Sequence, residues 1–501
     1  MFALIIATAV FFRFYHLQQT PPGLYPDEAM NGVNTLIAND TGNYQVFYPD
    51  NNGREGLFIN IQALSVKIFG IHPWALRGVS AVIGVLTVIG LYMLTKELFD
   101  WHIAALSSFM LAISFWHVNF SRIGFRAIMV PFILVYTFHF LWRGIKSLRL
   151  SYFFWAGVLG GLGFYTYTSY RIAPLIAIVL FIAYWEYLKK TFDHSKYEHT
   201  HNQLLRGFAL MMIVAFIVVI PLGLYFFHHP DQIMEQSGLS VFNQPNPLHA
   251  LGESVVQTLA MFNFSGDWNN RHNIPGAPML PWPIGIFFVI GFIKELWHWL
   301  GRKHGHFSPL HTFLFGWFFI MLLPGFLSIQ APHAIRTMGV LPVLMIFTGR
   351  GIWWTFKAIG AWRDNTHPAE QYHLHHLTDP AAVIAMVLLL VGLGGYEYNR
   401  YFNVWAKDPS TAGAFNQNYV DIANQINALS DTTAKYVIMK APATLFDLPG
   451  QSGVPVSAAT VIFLTDTAMP EMRAAKHVTY LLPEQVSRTH IPYGAKVFTI
   501  Q

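Results

Sequence analysis

The sequence predicts an α-helical polytopic membrane protein, with about eleven transmembrane helices and a small α/β domain at its C-terminal end. Of its 501 residues, 53% are hydrophobic and only 11% are charged, whereas a soluble domain carries about 25% charged residues. Aromatic residues make up 16% of the chain, which suits lipid-facing helices and the aromatic belts at membrane surfaces. The lack of cysteine excludes disulfides, thiolate metal sites and a cysteine nucleophile.

Each of the apolar segments has roughly the 17–25 residues that a membrane-spanning helix needs. They lie at 1–17, 75–96, 101–119, 127–146, 151–169, 172–188, 206–228, 283–300, 310–328, 337–359 and 381–399. The first segment has no basic leader and no small-residue cleavage site, so we expect a retained helix rather than a signal peptide.

Basic residues in alternate loops predict the orientation, because cytoplasmic loops are enriched in Lys and Arg. These residues are Lys96, Arg143, Lys146, Arg149, Lys189, Lys190, Arg206, Lys294, Arg302, Lys303, Lys357 and Arg363. In a cell (inner/plasma) membrane the N-terminus is then cytoplasmic, and the C-terminus and the long loops 18–74 and 229–282 are extracytoplasmic. The basic residues form no single patch, so the net charge of +5 does not indicate a nucleic-acid partner.

The composition changes near residue 403, which predicts a transmembrane module at 1–402 and a small α/β domain at 403–501. Residues 415–429 have the apolar spacing of a helix. Short strands are predicted at 436–439, 459–464, 478–482 and 497–500. This domain carries no recognisable catalytic motif, so we expect function to depend mainly on the transmembrane module and its outer loops.

Two adjacent carboxylates, Asp27 and Glu28, follow the first apolar segment directly. Pro26 suits the first turn of a helix, so both acids would lie at the positive end of the helix dipole. Asp27, Asn31 and Asn34 would share one polar face, and the apolar face would lie in the lipid interface. Asp27 is the first candidate for a catalytic base and Glu28 the second; the alternative is that both merely cap the helix.

Four arginines lie at predicted outer ends of membrane segments, against the usual bias: Arg122, Arg126, Arg171 and Arg336. Several guanidiniums at one membrane face suit a phosphate or pyrophosphate, which arginine binds bidentately. We therefore predict that these arginines, together with His333, bind the phosphate of a substrate. The alternative is that they extend to lipid headgroups.

Further candidates for substrate binding lie in the outer loops. Tyr165 and Tyr167 are placed to stack on a sugar or prenyl group, or else belong to an interfacial aromatic belt. Glu55 is a candidate that could instead pair with Arg54. Asp267 and His272 lie in the loop 229–282, where no regular structure is obvious. The histidines of the cytoplasmic loops match no zinc spacing, so no metal site is predicted there: His194, His199, His201, His367, His373, His375 and His376.

Five short motifs together resemble polytopic glycosyltransferases of the GT-C class, in particular bacterial family-39-type enzymes related to protein O-mannosyltransferases and lipid A aminoarabinose transferases. The motifs are Pro26-Asp27-Glu28; Ser121-Arg122 with Arg126; Tyr165-Thr166-Tyr167 with Arg171; Gly266-Asp267-Trp268-Asn269 with Arg271-His272-Asn273; and Pro332-His333-Ala334-Ile335-Arg336. Their order and their common outer placement make the set more specific than any one of them. The resemblance covers about residues 1–400.

The resemblance implies a polyprenyl-phosphate-linked sugar donor, an acidic base in the first outer loop and transfer at the outer face of the membrane. The acceptor would be a hydroxyl or amine of a protein, lipid or glycan, and direct displacement would invert the anomeric centre. No cofactor is required if arginines stabilise the leaving phosphate, and a divalent metal is possible but not indicated. Some relatives have a further acid near 127–131, where this chain has none. A second acid, if one is needed, would come from Glu55 or Asp267, or else is absent.

Two other classes of function remain open. A transporter or flippase of lipid-linked sugars would favour charges at the membrane midplane and paired repeats, whereas the polar residues here gather at one face. A surface-polysaccharide ligase or polymerase also uses lipid-pyrophosphate substrates and outer arginines. The pair of carboxylates so early in the chain argues against it.

Overall fold

The computed structural model describes residues 1–191, 194–234, 240–301, 308–363, 380–440 and 444–501. Its helices are α1 Phe2–Phe14, α2 Pro26–Thr41, α3 Gly56–Phe69, α4 Pro73–Leu98, α5 Trp101–Ile113, α6 Phe115–Phe120, α7 Met129–Ser147, α8 Leu150–Leu162, α9 Pro174–Thr191, α10 His194–His228, α11 Asp231–Met234, α12 Pro247–Ala260, α13 Trp282–Leu300, α14 Pro309–Phe326, α15 Leu341–Arg363, α16 Pro380–Tyr398, α17 Pro409–Ala414, α18 Gln417–Asn427, α19 Ala459–Leu464, α20 Pro470–Ala475 and α21 Pro483–Val486. Its strands are β1 Phe47–Tyr48, β2 Arg54–Glu55, β3 Lys435–Met439, β4 Leu445–Leu448, β5 Gln451–Pro455, β6 Val478–Leu481 and β7 Lys496–Ile500.

The predicted class, a helical polytopic membrane protein, is confirmed. Each of the eleven predicted apolar segments contains a helix, and among the described residues eight helices are long and apolar enough to cross a membrane. The helices α1, α5 and α8 are shorter. Helix α5 ends at Ile113 because Ser114 has an extended ψ of 120°, and α6 begins directly after it. The bundle has its own hydrophobic core, in which Trp116 and Trp317 are fully buried.

Helix α2 forms where the sequence predicts it, but its apolar face has a different neighbour. Pro26 occupies the first turn and Gly42 ends the helix with a φ of +71°. The apolar residues Ala29, Met30 and Val33 are fully buried in a second hydrophobic core, which they share with the C-terminal domain. The prediction that this face lies in the lipid interface is therefore wrong, because a packing partner more than four hundred residues away leaves no trace in local periodicity.

The contact between α2 and α19 of the C-terminal domain is close. A Cβ atom added at Gly32 would lie only 2.5 Å from the ring of Phe463. The hydroxyl of Thr460 donates a hydrogen bond to the carbonyl of Leu24 over 2.8 Å. The start of α2 and the C-terminal domain thus form one packed unit at one end of the bundle.

The C-terminal domain contains a parallel three-stranded sheet in the order β6-β3-β7 and an antiparallel β4-β5 hairpin. Three of the four predicted strands are confirmed as β3, β6 and β7, and the predicted helix is confirmed in α18. The prediction of a strand at 459–464 is wrong, because this short apolar run forms α19, and such a run fits either structure when periodicity alone is considered. The hairpin was not predicted, and the division of the chain at 402/403 stays a prediction.

The loop 229–282 is more ordered than the sequence indicates. It contains α12, which is held against α14 by the hydroxyl of Ser254, a donor to the carbonyls of Gly325 and Ser328 at 2.9 Å each. No regular structure was obvious from the sequence of this loop, so α12 was not predicted. Most of the histidines in the loops predicted to be cytoplasmic lie outside the described residues or have side chains that are not described: His194, His367, His373, His375 and His376.

Candidate active site

A cavity of about 1240 Å³ lies at the end of the bundle where α2 begins. Its wall comes from five parts of the chain: the first turn of α2 with the turn before β2, residues 125–127, residues 167–172, residues 269–272 with 323–336, and the C-terminal domain. The cavity therefore lies where the membrane bundle, its loops and the C-terminal domain meet, and it collects six of the twelve candidate site residues that the sequence singles out.

Asp27 lies on the cavity wall and is half-buried. Its Oδ1 atom accepts a hydrogen bond from the side-chain amide of Asn51 over 2.8 Å. Tyr25 and Pro26 line the cavity beside it. Since the carboxylate faces open space and has a neutral partner, it can accept a proton from a group bound in the cavity.

Glu28, its neighbour, points away from the cavity and is fully buried. Arg77 donates to both carboxylate oxygens, over 3.0 and 3.1 Å, and the backbone N–H of Gly124 donates over 2.6 Å. Arg77 also binds the carbonyls of Pro21 and Gly23. This geometry argues against Glu28 as a base, because both oxygens are occupied in an ion pair that joins α2 to α4.

Arg122 lies outside the cavity wall as well. Its guanidinium is buried and donates to the carbonyls of Phe12, Tyr15 and Thr20 over 3.0, 2.7 and 3.0 Å. These carbonyls belong to the C-terminal turn of α1 and the segment after it. The predicted contact between Arg122 and a substrate phosphate is therefore not supported, because backbone acceptors already occupy the side chain.

Arg126 is on the cavity wall, four residues further along the chain. Its Nε atom donates to Glu55 over 2.8 Å, and its guanidinium lies 5.2 Å from the centre of the Tyr167 ring. The other oxygen of Glu55 is 3.5 Å from Arg171, whose side chain is 38% exposed and does not line the cavity. Glu55 itself is buried, so it orients arginines instead of contacting a substrate.

Arg54 is a cavity residue that the sequence analysis missed as a site candidate. It donates to the side-chain oxygens of Asn31 and Asn34 on α2, so the alternative pairing of Arg54 with Glu55 is wrong. Burial and the nearby charge of Arg126 lower the pKa of Arg54 to about 10, which leaves it protonated at neutral pH. The polar face predicted for α2 thus exists, and it holds a cation at the cavity.

Asp267 lies just behind the cavity wall, at the centre of a hydrogen-bonded cluster. One oxygen accepts the N–H of Asn269, and the other accepts the N–H of Ala334 and Nδ1 of His272, over 2.8, 2.8 and 2.9 Å. Burial alone would raise the pKa of Asp267. Hydrogen bonding and charge from His272, with smaller effects from His333 and the N–H of Ala334, lower it overall. Asp267 therefore ties the loop after α12 to the segment after α14.

Both segments reach the cavity wall. His272 lines it from the loop after α12, and His333 and Arg336 line it from the segment after α14. Burial, followed by the charge of His272, lowers the pKa of His333 to about 3, so its imidazole is neutral at physiological pH. Arg336 donates to the hydroxyl of Ser328 and, over 2.8 Å, to the side-chain oxygen of Gln330. Burial lowers the pKa of Arg336, and the nearby Tyr167 opposes this shift.

The two tyrosines of the Tyr165-Thr166-Tyr167 motif separate. Tyr167 lines the cavity beneath Arg126. The hydroxyl of Tyr165 donates to the carbonyl of Val218 on α10 over 2.7 Å, and the side chain does not line the cavity. Tyr165 therefore contributes to helix packing rather than to the site.

Arg271 is the other cavity residue that the sequence analysis passed over as a site candidate. Its guanidinium lies 3.8 Å from the centre of the ring of Tyr25, which lines the same cavity two residues before Asp27. Its place next to His272 in a recognised motif was the available indication. Among the lining residues that the structure describes, Arg54, Arg126, Arg271 and Arg336 are cationic and Asp27 is the one carboxylate. Such a cavity suits an anionic ligand.

Comparison with solved structures identifies the fold. ArnT from Cupriavidus metallidurans, bound to undecaprenyl phosphate, superposes with a TM-score of 0.58 at 14% identity, over 96% of this chain and 89% of that one. The chain has the GT-C glycosyltransferase fold. An Archaeoglobus fulgidus oligosaccharyltransferase shares this GT-C fold with a TM-score of 0.53 at 14% identity, over 96% of this chain and 63% of that one.

Sequence comparison agrees over part of the chain. Residues 57–225 match the family described as dolichyl-phosphate-mannose-protein mannosyltransferase. The Bacillus subtilis protein named "Putative mannosyltransferase YkcB" is 32% identical over 133 residues, which are 26% of this chain and 18% of that protein. The resemblance to family-39-type GT-C proteins is thereby confirmed. The matched region contains Arg126 and Tyr167 but not Asp27 or Asp267.

Proposed function

We propose that the protein is an inverting glycosyltransferase that moves a sugar from a polyprenyl-phosphate-linked donor to a hydroxyl or amine acceptor. The observation that carries this proposal is the pairing of one half-buried carboxylate, Asp27, with four guanidiniums around a single cavity. One proton acceptor and several fixed cations are what displacement of a sugar from a phosphate requires.

The guanidiniums are assigned to the donor phosphate. Arginine binds phosphate oxygens through paired N–H donors, and the held positions of Arg126 and Arg336 reduce the reorganisation needed on binding. The donors of Arg54 already bind Asp50, Asn31 and Asn34, so Arg54 contributes positive charge rather than hydrogen bonds. Ile172, Leu323 and Leu327 line the same cavity and would contact a prenyl chain. The undecaprenyl phosphate in the ArnT structure and the dolichol-phosphate in an Archaeoglobus fulgidus oligosaccharyltransferase complex support this class of donor.

The proposed reaction is a single displacement. Asp27 takes the proton from the acceptor hydroxyl or amine as that atom attacks the anomeric carbon, and the bond from this carbon to the phosphate oxygen breaks. The negative charge that develops on the leaving phosphate is stabilised by the arginines, so the step requires no cofactor or metal. Attack opposite the leaving group inverts the anomeric centre. The transferred group is a hexosyl or pentosyl sugar.

We also propose that transfer takes place on the extracytoplasmic side of the cell membrane. Helix α4 carries Arg77 near its first turn, where it meets Glu28 at the cavity end, and Lys96 in its last turn. Helix α7 likewise ends with Lys146. Because lysines and arginines favour the cytoplasmic side, the cavity end is assigned to the opposite side.

The decisive measurement is turnover of extracted polyprenyl-phosphate sugars by the purified protein, for the wild type and Asp27→Asn. We expect wild-type activity to fall by about 10²–10⁴-fold in Asp27→Asn, the usual range for loss of a general base. Asp421→Asn, an equal change at an exposed position on α18, is the matched control. Equal activity in wild type and Asp27→Asn would contradict the assigned base. A well-folded wild type that turns over no lipid-linked sugar with any acceptor class would contradict the function.

A further inference from the structure

We propose that Asp267, His272 and His333 form a binding site for a divalent transition-metal ion, of which Zn²⁺ is the best fit. One ligand atom from each of these side chains lies within 4.8 Å of the other two. The three residues come from two separate loops that the hydrogen bond between Asp267 and the N–H of Ala334 joins. The sequence spacing matches no zinc template, so the grouping becomes visible only in the fold.

The environment of His333 indicates that this side chain binds a ligand from outside the protein. Its Nδ1 atom is buried and has no hydrogen-bond partner in the described part of the chain, although buried polar atoms are nearly always paired. Its ring centre is 5.2 Å from that of His272.

The donor set selects the kind of metal. Two imidazole nitrogens and one carboxylate are a usual ligand set of zinc sites that keep a fourth position open. Magnesium and calcium prefer oxygen ligands and are disfavoured. Tetrahedral zinc holds its ligand atoms about 3.4 Å apart, so the cluster needs to contract by at most about 1.4 Å. Asp267 and His272 are buried and His333 is only partly buried, so we assign this movement to the ring of His333.

The surroundings already hold the ligands in place. The N–H of Asn269 donates to the Oδ1 atom of Asp267, and the N–H of Ala334 donates to Oδ2, over 2.8 Å each. Oδ2 also contacts His272 and is therefore the ligand atom that lies near the histidines. Supporting hydrogen bonds of this kind are typical of metal ligands. On binding, the ion replaces the proton that lies between His272 Nδ1 and Asp267 Oδ2, and this proton passes to solvent.

The inferred role of the ion rests on the proposed function. His272 and His333 line the cavity with Arg271 and Arg336, so the open position of the ion faces the space assigned to the donor phosphate. These arginines repel a cation in the empty cavity, and a phosphate oxygen would relieve that repulsion. The ion is therefore an auxiliary to the guanidiniums, and its removal should lower turnover without abolishing it.

The test measures metal binding and needs no turnover. The full-length protein, purified with a tag that contains no histidine and stripped with a chelator, is titrated with Co²⁺ as a spectroscopic probe and Zn²⁺ as a competitor. We expect about one equivalent of Co²⁺ with the visible spectrum of a four-coordinate site. His333→Gln should lose this binding. His249→Ala, in the same region but with a side chain that is 74% exposed, should keep it.

A second variant guards against misfolding. His333→Cys replaces one zinc ligand by another in a chain without cysteine. It should retain Co²⁺ binding and add a thiolate-to-cobalt charge-transfer band, which appears only if position 333 coordinates the ion. Binding at background level in the wild type, or equal binding in wild type and His333→Gln, would overturn the proposal. A failure of the glycosyltransferase proposal would appear instead in the Asp27→Asn experiment.

Discussion

On two walls of the cavity, a buried carboxylate orients the side chains that face the cavity, but the oriented side chains differ. On the α2 wall, formed by residues 25–55 with Arg126, a buried carboxylate, Glu55, orients Arg126. On the second wall, formed by residues 267–272 and 328–336, a buried carboxylate, Asp267, orients His272 and the segment that carries Arg336. On both walls the carboxylate that orients others lies behind the surface, and Asp27 is the acid that meets the cavity. The comparison teaches that acidity alone does not mark a base; exposure to the cavity does.

The largest expected effect comes from making the same substitution, aspartate to asparagine, at Asp27 and at Asp267. Asp27→Asn should reduce turnover by about 10²–10⁴-fold with little change in thermal stability, because the amide keeps the volume but cannot take a proton. Asp267→Asn should instead lower the melting temperature, since it weakens a buried, charge-assisted hydrogen bond worth about 1.5–3 kcal/mol. Thermal unfolding and initial rates on the same preparations separate the two. Loss of stability in Asp27→Asn alone would reverse the assignment.

Removal of the carboxylate behind the α2 wall should weaken donor binding. Glu55→Gln leaves Arg126 without its ion-pair partner and lets its guanidinium move away from the donor position. We expect KM for the donor to rise by about tenfold, equivalent to about 1.4 kcal/mol, with a smaller change in kcat. Steady-state kinetics at a fixed acceptor concentration give both values. An unchanged KM would mean that Glu55 contributes only to folding.

The two walls are expected to share the phosphate, and conservative changes test this. Arg126→Lys and Arg336→Lys keep the charge but remove the paired N–H donors that match phosphate oxygens. Each should raise KM for the donor by several-fold. Arg122→Lys makes the same change at a buried arginine that lies outside the cavity, and it should alter stability rather than KM. A large KM effect in only one of the two cavity variants would assign the phosphate to that wall.

The smallest effect is expected at the pair of tyrosines. Tyr165→Phe removes two hydrogen bonds, one to the carbonyl of Val218 and one from the N–H of Leu222. Their loss should cost about 0.5–1.5 kcal/mol of stability each and leave KM unchanged. Tyr167→Ala removes the ring that supports Arg126, and it should raise KM. Melting temperatures and donor KM values for both variants check this difference. A change in KM for Tyr165→Phe would place that residue at the site after all.

The sequence predicts the membrane helices well because their length and apolar composition are local properties. It also selects six residues that the fold brings to the cavity wall: Asp27, Arg126, Tyr167, His272, His333 and Arg336. Arg126 and Arg336 were selected because they lie at predicted outer ends of membrane segments, where arginine is uncommon. Which chemical role each of the six performs stays a prediction.

The misses have a common physical cause, which is that side-chain partners are distant in sequence. Glu28 is adjacent to Asp27 but points to Arg77 on another helix. Arg122 was predicted to bind phosphate, but its guanidinium donates to the backbone carbonyls of Phe12 and Tyr15 at the end of α1. Arg54 seemed to be paired with its neighbour Glu55, whereas successive residues of a strand point to opposite sides.

The close packing of Gly32 on Phe463 constrains how this architecture can be recombined. The helix that presents Asp27 to the cavity has its opposite face in the core of the C-terminal domain. Exchange of residues 403–501 with those of a relative therefore changes the support of the proposed base, however far the exchanged residues lie from it in sequence. A working chimera therefore has to take helix α2 and the C-terminal domain from the same parent protein.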